Sequence, residues 1–173
     1  GSINDRTYLQ QMYSAGLATR GYTNLAIGAH PYGWGNPPDA RCCNAVAGRG
    51  WDDNSQFFFI ETLEAYYDIM ARNGHGDLQM WVTEFGWPTW AGFPVEPPEE
   101  WMTYISPNQQ AEYTIRAFEI GQSLDYVGPM FLWNLNFANE TLIEQRNEMA
   151  GFSLLVPGLP PRPLVDRLSA QTQ

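Results

Sequence analysis

The sequence predicts an α/β fold of parallel strands joined by crossover helices, and three observations carry that expectation. Apolar runs of strand length fall at 25–29, 80–84 and 127–133. Segments with apolar residues at helical spacing separate them. Each connection is long enough for the right-handed crossover that parallel strands require. At 173 residues and 44% hydrophobic content, a single domain over 1–173 with one core is expected. Gly1-Ser2 reads as a cloning remnant.

From Asp5 to about Thr19, Tyr8, Leu9, Met12, Tyr13 and Leu17 recur at helical spacing, with Gly21 placed as a stop. Strand 25–29 follows, then a long loop to about Asp53 rich in Gly and Pro, a length that often marks function. Phe59, Leu63, Tyr66, Tyr67 and Met70 form a second helical stripe. Ser55 or Asp53 is its expected N-cap, and Gly74 lies just past its end. The strand ending at Glu84 comes next, and a Pro- and Trp-rich loop leads from Trp87 to Ile105. Ser106-Pro107-Asn108-Gln109 has the form of a capping box with proline at the first helical position. Ala111, Ile115, Phe118 and Leu124 carry the helix it opens. After strand 127–133, a short helix is expected within Thr141–Met149, and a last one after Pro161-Arg162-Pro163.

Nineteen acidic residues against nine basic ones repel phosphate backbones, which excludes nucleic acid as a partner. All nine basic residues are arginines, so Schiff-base, pyridoxal-phosphate and lysine-dependent phosphate-loop chemistries are excluded too. No apolar run reaches the length of a membrane span, and no membrane partner is expected. The two histidines lack metal-ligand spacing, so no metal site is expected. His75, between two glycines, reads as a turn residue. Cys42 and Cys43 are adjacent, and two thiols are favoured over a vicinal bridge.

The chemistry concentrates at strand ends. Met80-Trp81-Val82-Thr83 delivers Glu84 to a strand tip, followed at once by Phe85-Gly86-Trp87. The preceding strand runs into His30-Pro31-Tyr32-Gly33-Trp34, and the following one, through Phe131-Leu132-Trp133, into Asn134-Leu135. A carboxylate followed by Phe-Gly-Trp is poor solubilising surface, which marks Glu84 as a catalytic candidate. Trp34, Trp87, Trp90 and Trp133 follow strand ends, where an indole face can pack on the C–H face of a sugar. Trp81, within a strand, and Trp51 are expected in the core.

These three motifs, in this order, resemble the last three strands of the large clan of retaining glycoside hydrolases built on the (β/α)8 TIM barrel. The resemblance extends through Phe152-Ser153-Leu154-Leu155 and Pro161-Arg162-Pro163. It implies a partial TIM barrel, roughly the C-terminal half, with Glu84 as nucleophile in cleaving a β-linked saccharide and no cofactor. Tyr32 would hydrogen-bond the Glu84 carboxylate. His30 would orient a sugar hydroxyl or bond backbone. Trp133 would form the platform under the cleaved sugar with Asn134 beside it, and Trp34 and Trp87 would complete the binding rim. The resemblance also favours an extracellular or cell-surface setting.

The family's acid/base, a glutamate after an asparagine on an earlier strand, has no counterpart upstream of Glu84. Asn139-Glu140 repeats the dipeptide beyond the final strand, where it cannot fill that role. Asp39, Glu96, Glu99 and Glu140 remain as the loop carboxylates available to approach Glu84. A three-stranded parallel sheet leaves two unpaired edges and an open inner face, so pairing with the missing half-barrel or with another copy is expected. A fragment without its acid is expected to be a weak catalyst or none, and a saccharide-binding or self-assembling half-barrel is the alternative.

Overall fold

The computed structural model describes residues 3–171. The pair Gly1-Ser2 lies outside them. Among the described residues, five α-helices and three strands follow the expected order: α1 (Asp5–Ser14), β1 (Ile27–Ala29), α2 (Phe59–Arg72), β2 (Met80–Phe85), α3 (Pro107–Ser123), β3 (Val127–Leu132), α4 (Glu140–Glu144) and α5 (Pro163–Gln171). The strands form one open parallel sheet in the order β1-β2-β3, with Ile27 opposite Met80 and Met80 opposite Val127.

Local signals explain most boundaries. Ser106 and Gln109 form the reciprocal capping box at the start of α3. Asn4 caps α1 through its side chain. That helix stops earlier than the periodicity suggests, because Gly16 turns left-handed at φ 94° and a 3-10 turn, Leu17–Thr19, takes over. Helix α2 has no side-chain cap: Asn54, rather than Ser55 or Asp53, caps the short 3-10 turn before it, and Phe58 leads into the helix. Gly74 adopts φ 84° past the end of α2, as expected. The segment read as one short helix splits into α4 and a 3-10 turn, Glu148–Phe152.

The main core lies between the sheet and its helices. Leu63, Met70, Met80, Val82, Phe59 and Phe85 are fully buried there. A second cluster, over the carboxyl ends of the strands, gathers Trp90, Trp101, Met102, Ile143 and Phe152, with Trp34, Trp51 and Trp133 packed against it. The long loop after β1 is fastened by a chain of hydrogen bonds. Gln110 Nε2 donates to the Trp87 carbonyl (2.7 Å), Trp87 Nε1 to the Asn36 carbonyl (2.8 Å), and Asn36 Nδ2 to the carbonyls of Trp51 and Phe57. Each member is buried or half-buried, so losing one would strand a polar partner.

The opposite face of the sheet is bare. Trp81 is 41% and Phe131 52% exposed, and Gly28 and Thr83 lie open on the same side. Trp81 is therefore no core residue: in an open sheet, nothing among the described residues covers the face it occupies. Trp51 is half-buried and stacks on Trp34. Pro129 is tolerated in β3 because that strand is an edge.

Two further features depart from expectation or tie the fold together. Cys42 and Cys43 are joined as a disulfide, not kept as two thiols. Arg162 is buried, donates from Nη1 to the Ala91 carbonyl at 2.7 Å, and lies over the ring of Phe93. Burial pulls its pKa below the usual arginine value.

Candidate active site

Glu84 owes its position to a break in strand alternation. Met80 and Val82 are buried on the helix side, and strict period two would send Glu84 after them. The register shifts between Val82 and Phe85, so Phe85 is buried instead and Glu84 is left half-open at the strand tip. An irregularity that re-aims one side chain is how strand ends beside active sites are often built.

Two residues of the loop after β1 converge on the carboxylate. Tyr32 Oη donates to Glu84 Oε2 at 2.9 Å. His30 Nδ1 lies 3.6 Å from the same oxygen, an ion pair only when the imidazole is protonated. Burial pushes the Tyr32 phenol well above the ordinary tyrosine value, and the hydrogen bond and charge of Glu84 push it further. The phenol is therefore a donor, never a phenolate, at any ordinary pH. The ring of Tyr32 meets Phe152 edge-on at 5.4 Å, which fixes its orientation.

A cavity of about 220 Å³ opens beside Glu84, walled by Tyr32, Trp34, Trp101, Met149 and Phe152, with Glu148 on its rim. Trp34 holds a left-handed backbone at φ 55°, a conformation costly for a bulky residue. Its indole is clamped by a stack on Trp51 (4.3 Å) and an edge contact with Trp101 (4.7 Å). A larger hollow, about 550 Å³, lies in the loop after β2 between Trp90, Phe93, Glu96, Tyr104 and Gln109. It excludes Glu84, whereas the smaller cavity brings Glu84 together with Tyr32.

Glu84, Tyr32, His30 and Trp34 thus come together, while the other expected contacts do not. Trp87 is 1% exposed and packs between Phe59, Phe85 and Tyr113 inside the core. It supports the site from beneath and cannot stack on a ligand. Asn134 is buried, with its Oδ1 accepting from Phe137 N and Ser153 Oγ, so its polar atoms serve the loop after β3. Trp133 is half-buried against Phe137 and does not line the cavity. Nor do Asp39, Glu96, Glu99 and Glu140; Asp39 pairs with Arg116. The carboxylate that does reach the cavity is Glu148. His75 accepts or donates at Tyr13 Oη, 3.0 Å away, and is structural. Among the described residues no cluster of three metal-ligating side chains occurs, and no helix is long and apolar enough to cross a membrane.

The β-glucuronidase from Ruminococcus gnavus, solved in complex with an N1-substituted uronic isofagomine, superposes with a TM-score of 0.50 at 18% identity, over 99% of this chain and 30% of its own. The fold resembles a fragment of a glycosidase barrel. The chain spans about 30% of the length of that enzyme, and at this identity the likeness concerns the fold alone. No family model and no curated protein matches the sequence.

Proposed function

We propose that the chain is the C-terminal part of a retaining glycoside hydrolase that cleaves a β-linked saccharide, with Glu84 as nucleophile and the proton donor supplied from outside the chain. The observation that carries this reading is the Tyr32–Glu84 hydrogen bond at the mouth of an aromatic cavity. A carboxylate held by a neutral donor stays available to attack, and indole and phenyl faces suit a pyranose ring. In the first step a Glu84 oxygen bonds to the anomeric carbon as the glycosidic C–O bond breaks and the leaving group takes the electron pair. Natural leaving groups need a proton at that moment. Activated aryl glycosides do not, so they test Glu84 without the donor.

Incubation of the chain with a dinitrophenyl fluoro-glucoside should place a covalent glycosyl label on Glu84, located by peptide mass spectrometry. A label on any other carboxylate, or none, would overturn the assignment.

The bare inner face favours a second reading, a non-catalytic half-barrel that binds saccharide or self-assembles. Trp81 and Phe131 on one uncovered sheet face between two free edges are the kind of surface that seeks a partner. In this reading Glu84→Gln leaves saccharide binding intact, whereas in the first it abolishes labelling.

A further inference from the structure

Only two charged groups line the cavity beside Glu84, and both are carboxylates. Glu148 comes from the 3-10 turn Glu148–Phe152, and Glu84 from the tip of β2. The remaining wall is Tyr32, Trp34, Trp101, Met149 and Phe152, with no arginine among them. The chain holds no lysine, and its net charge is −10. His30, paired with Glu84, is not part of that lining. Glu148 is exposed and engaged in no ion pair or side-chain hydrogen bond among the described residues. Its two oxygens are therefore open acceptors on a residue that lines the hollow.

We propose that Glu148 is a specificity-determining residue that selects a neutral, hydroxyl-bearing sugar and rejects an acidic one. This rests on the saccharide reading above and adds the substrate class to it. A free carboxylate accepts hydrogen bonds from two adjacent sugar hydroxyls, and charge-assisted bonds of that kind are among the stronger ones. The aromatic wall takes the apolar face of the same ring. A uronic sugar brings a third negative charge into a space already holding two. At a separation of roughly 6 Å and an effective dielectric between the protein-surface and bulk-water values, that repulsion costs on the order of tenfold in affinity. It also leaves the sugar carboxylate with no cation to replace its hydration. Discrimination by an unfavourable charge is as effective as discrimination by an added contact.

A matched pair of iminosugars tests this on the whole chain: isofagomine and its uronic counterpart, which share the ring amine and differ at one carboxylate. Binding is read from the fluorescence of the wall tryptophans. The neutral probe should bind at least about tenfold more tightly, with the ratio shrinking as salt screens the repulsion. Glu148→Gln should tighten the uronic probe and bring the ratio to about threefold or less. Glu144→Gln, on the exposed side of α4, should leave the ratio unchanged. Uronic binding as tight as neutral, or a ratio insensitive to Glu148→Gln, overturns the proposal while leaving the glycosidase reading standing. Failure of both probes to bind overturns the two together.

Discussion

A Cβ on Gly33 would stand 2.6 Å from the indole of Trp87, so the turn carrying Tyr32 rests directly on the ring that follows Glu84 in the chain. The two motifs are thus one mechanical unit. Trp87 is a floor, Gly33 is the only residue type that can lie on it, and Tyr32 is held at hydrogen-bond distance from the carboxylate above.

Gly33→Ala should therefore be felt at Glu84. The added methyl must lift the turn or displace a buried indole, an overpacking cost of about 1 to 3 kcal/mol. Thermal unfolding should show that loss, and fluoro-glucoside labelling of Glu84 should slow with it. Unchanged labelling would separate the turn from the site.

Tyr32→Phe keeps the ring that meets Phe152 and removes only the donor. A hydrogen bond to a charged group is worth about 1.5 to 3 kcal/mol, so labelling at Glu84 should slow by roughly tenfold to a hundredfold if the bond serves the transition state. Circular dichroism should be unaltered. A variant that labels at the original rate would reduce Tyr32 to a packing residue.

Alkaline unfolding is expected from buried phenols. Burial raises the pKa of Tyr13, Tyr32 and Tyr66, and that of Tyr126 to about 12. The unfolded chain releases these protons near the ordinary value of about 10, where the folded chain keeps them. Stability is thus full below about pH 10 and falls as pH rises through the folded values. Melting temperature should decline across that window, and tyrosinate absorbance should appear together with unfolding rather than before it.

Strand and helix order was legible because apolar spacing reports which face is buried, and the capping box at Ser106 and Gln109 announces its helix in four residues. The Tyr32–Glu84 pairing followed from the resemblance, not from spacing. What escaped is equally physical. Strict alternation would bury Glu84, and the register shift that frees it leaves no mark in residue type. Trp87 and Asn134 follow strand ends just as Trp34 does, yet they turn under the loops while Trp34 turns toward the cavity. Trp101 and Glu148 come from 3-10 turns, whose short runs carry no periodicity to read.

Self-association can be tested through the bare face. The chain should sediment as a dimer or larger species at micromolar concentration, and Trp81→Ser with Phe131→Ser should return it to monomer. Both side chains are exposed, so the double variant should melt near the parent temperature. A parent that stays monomeric would refute the expectation.

The buried guanidinium of Arg162 gives the molecule a latch. Its bond to the Ala91 carbonyl fastens the segment before α5 to the stretch leaving β2. Losing that bond should free the loop around Ala91 from the chain's last helical segment, 71 residues away by the numbering of the two partners.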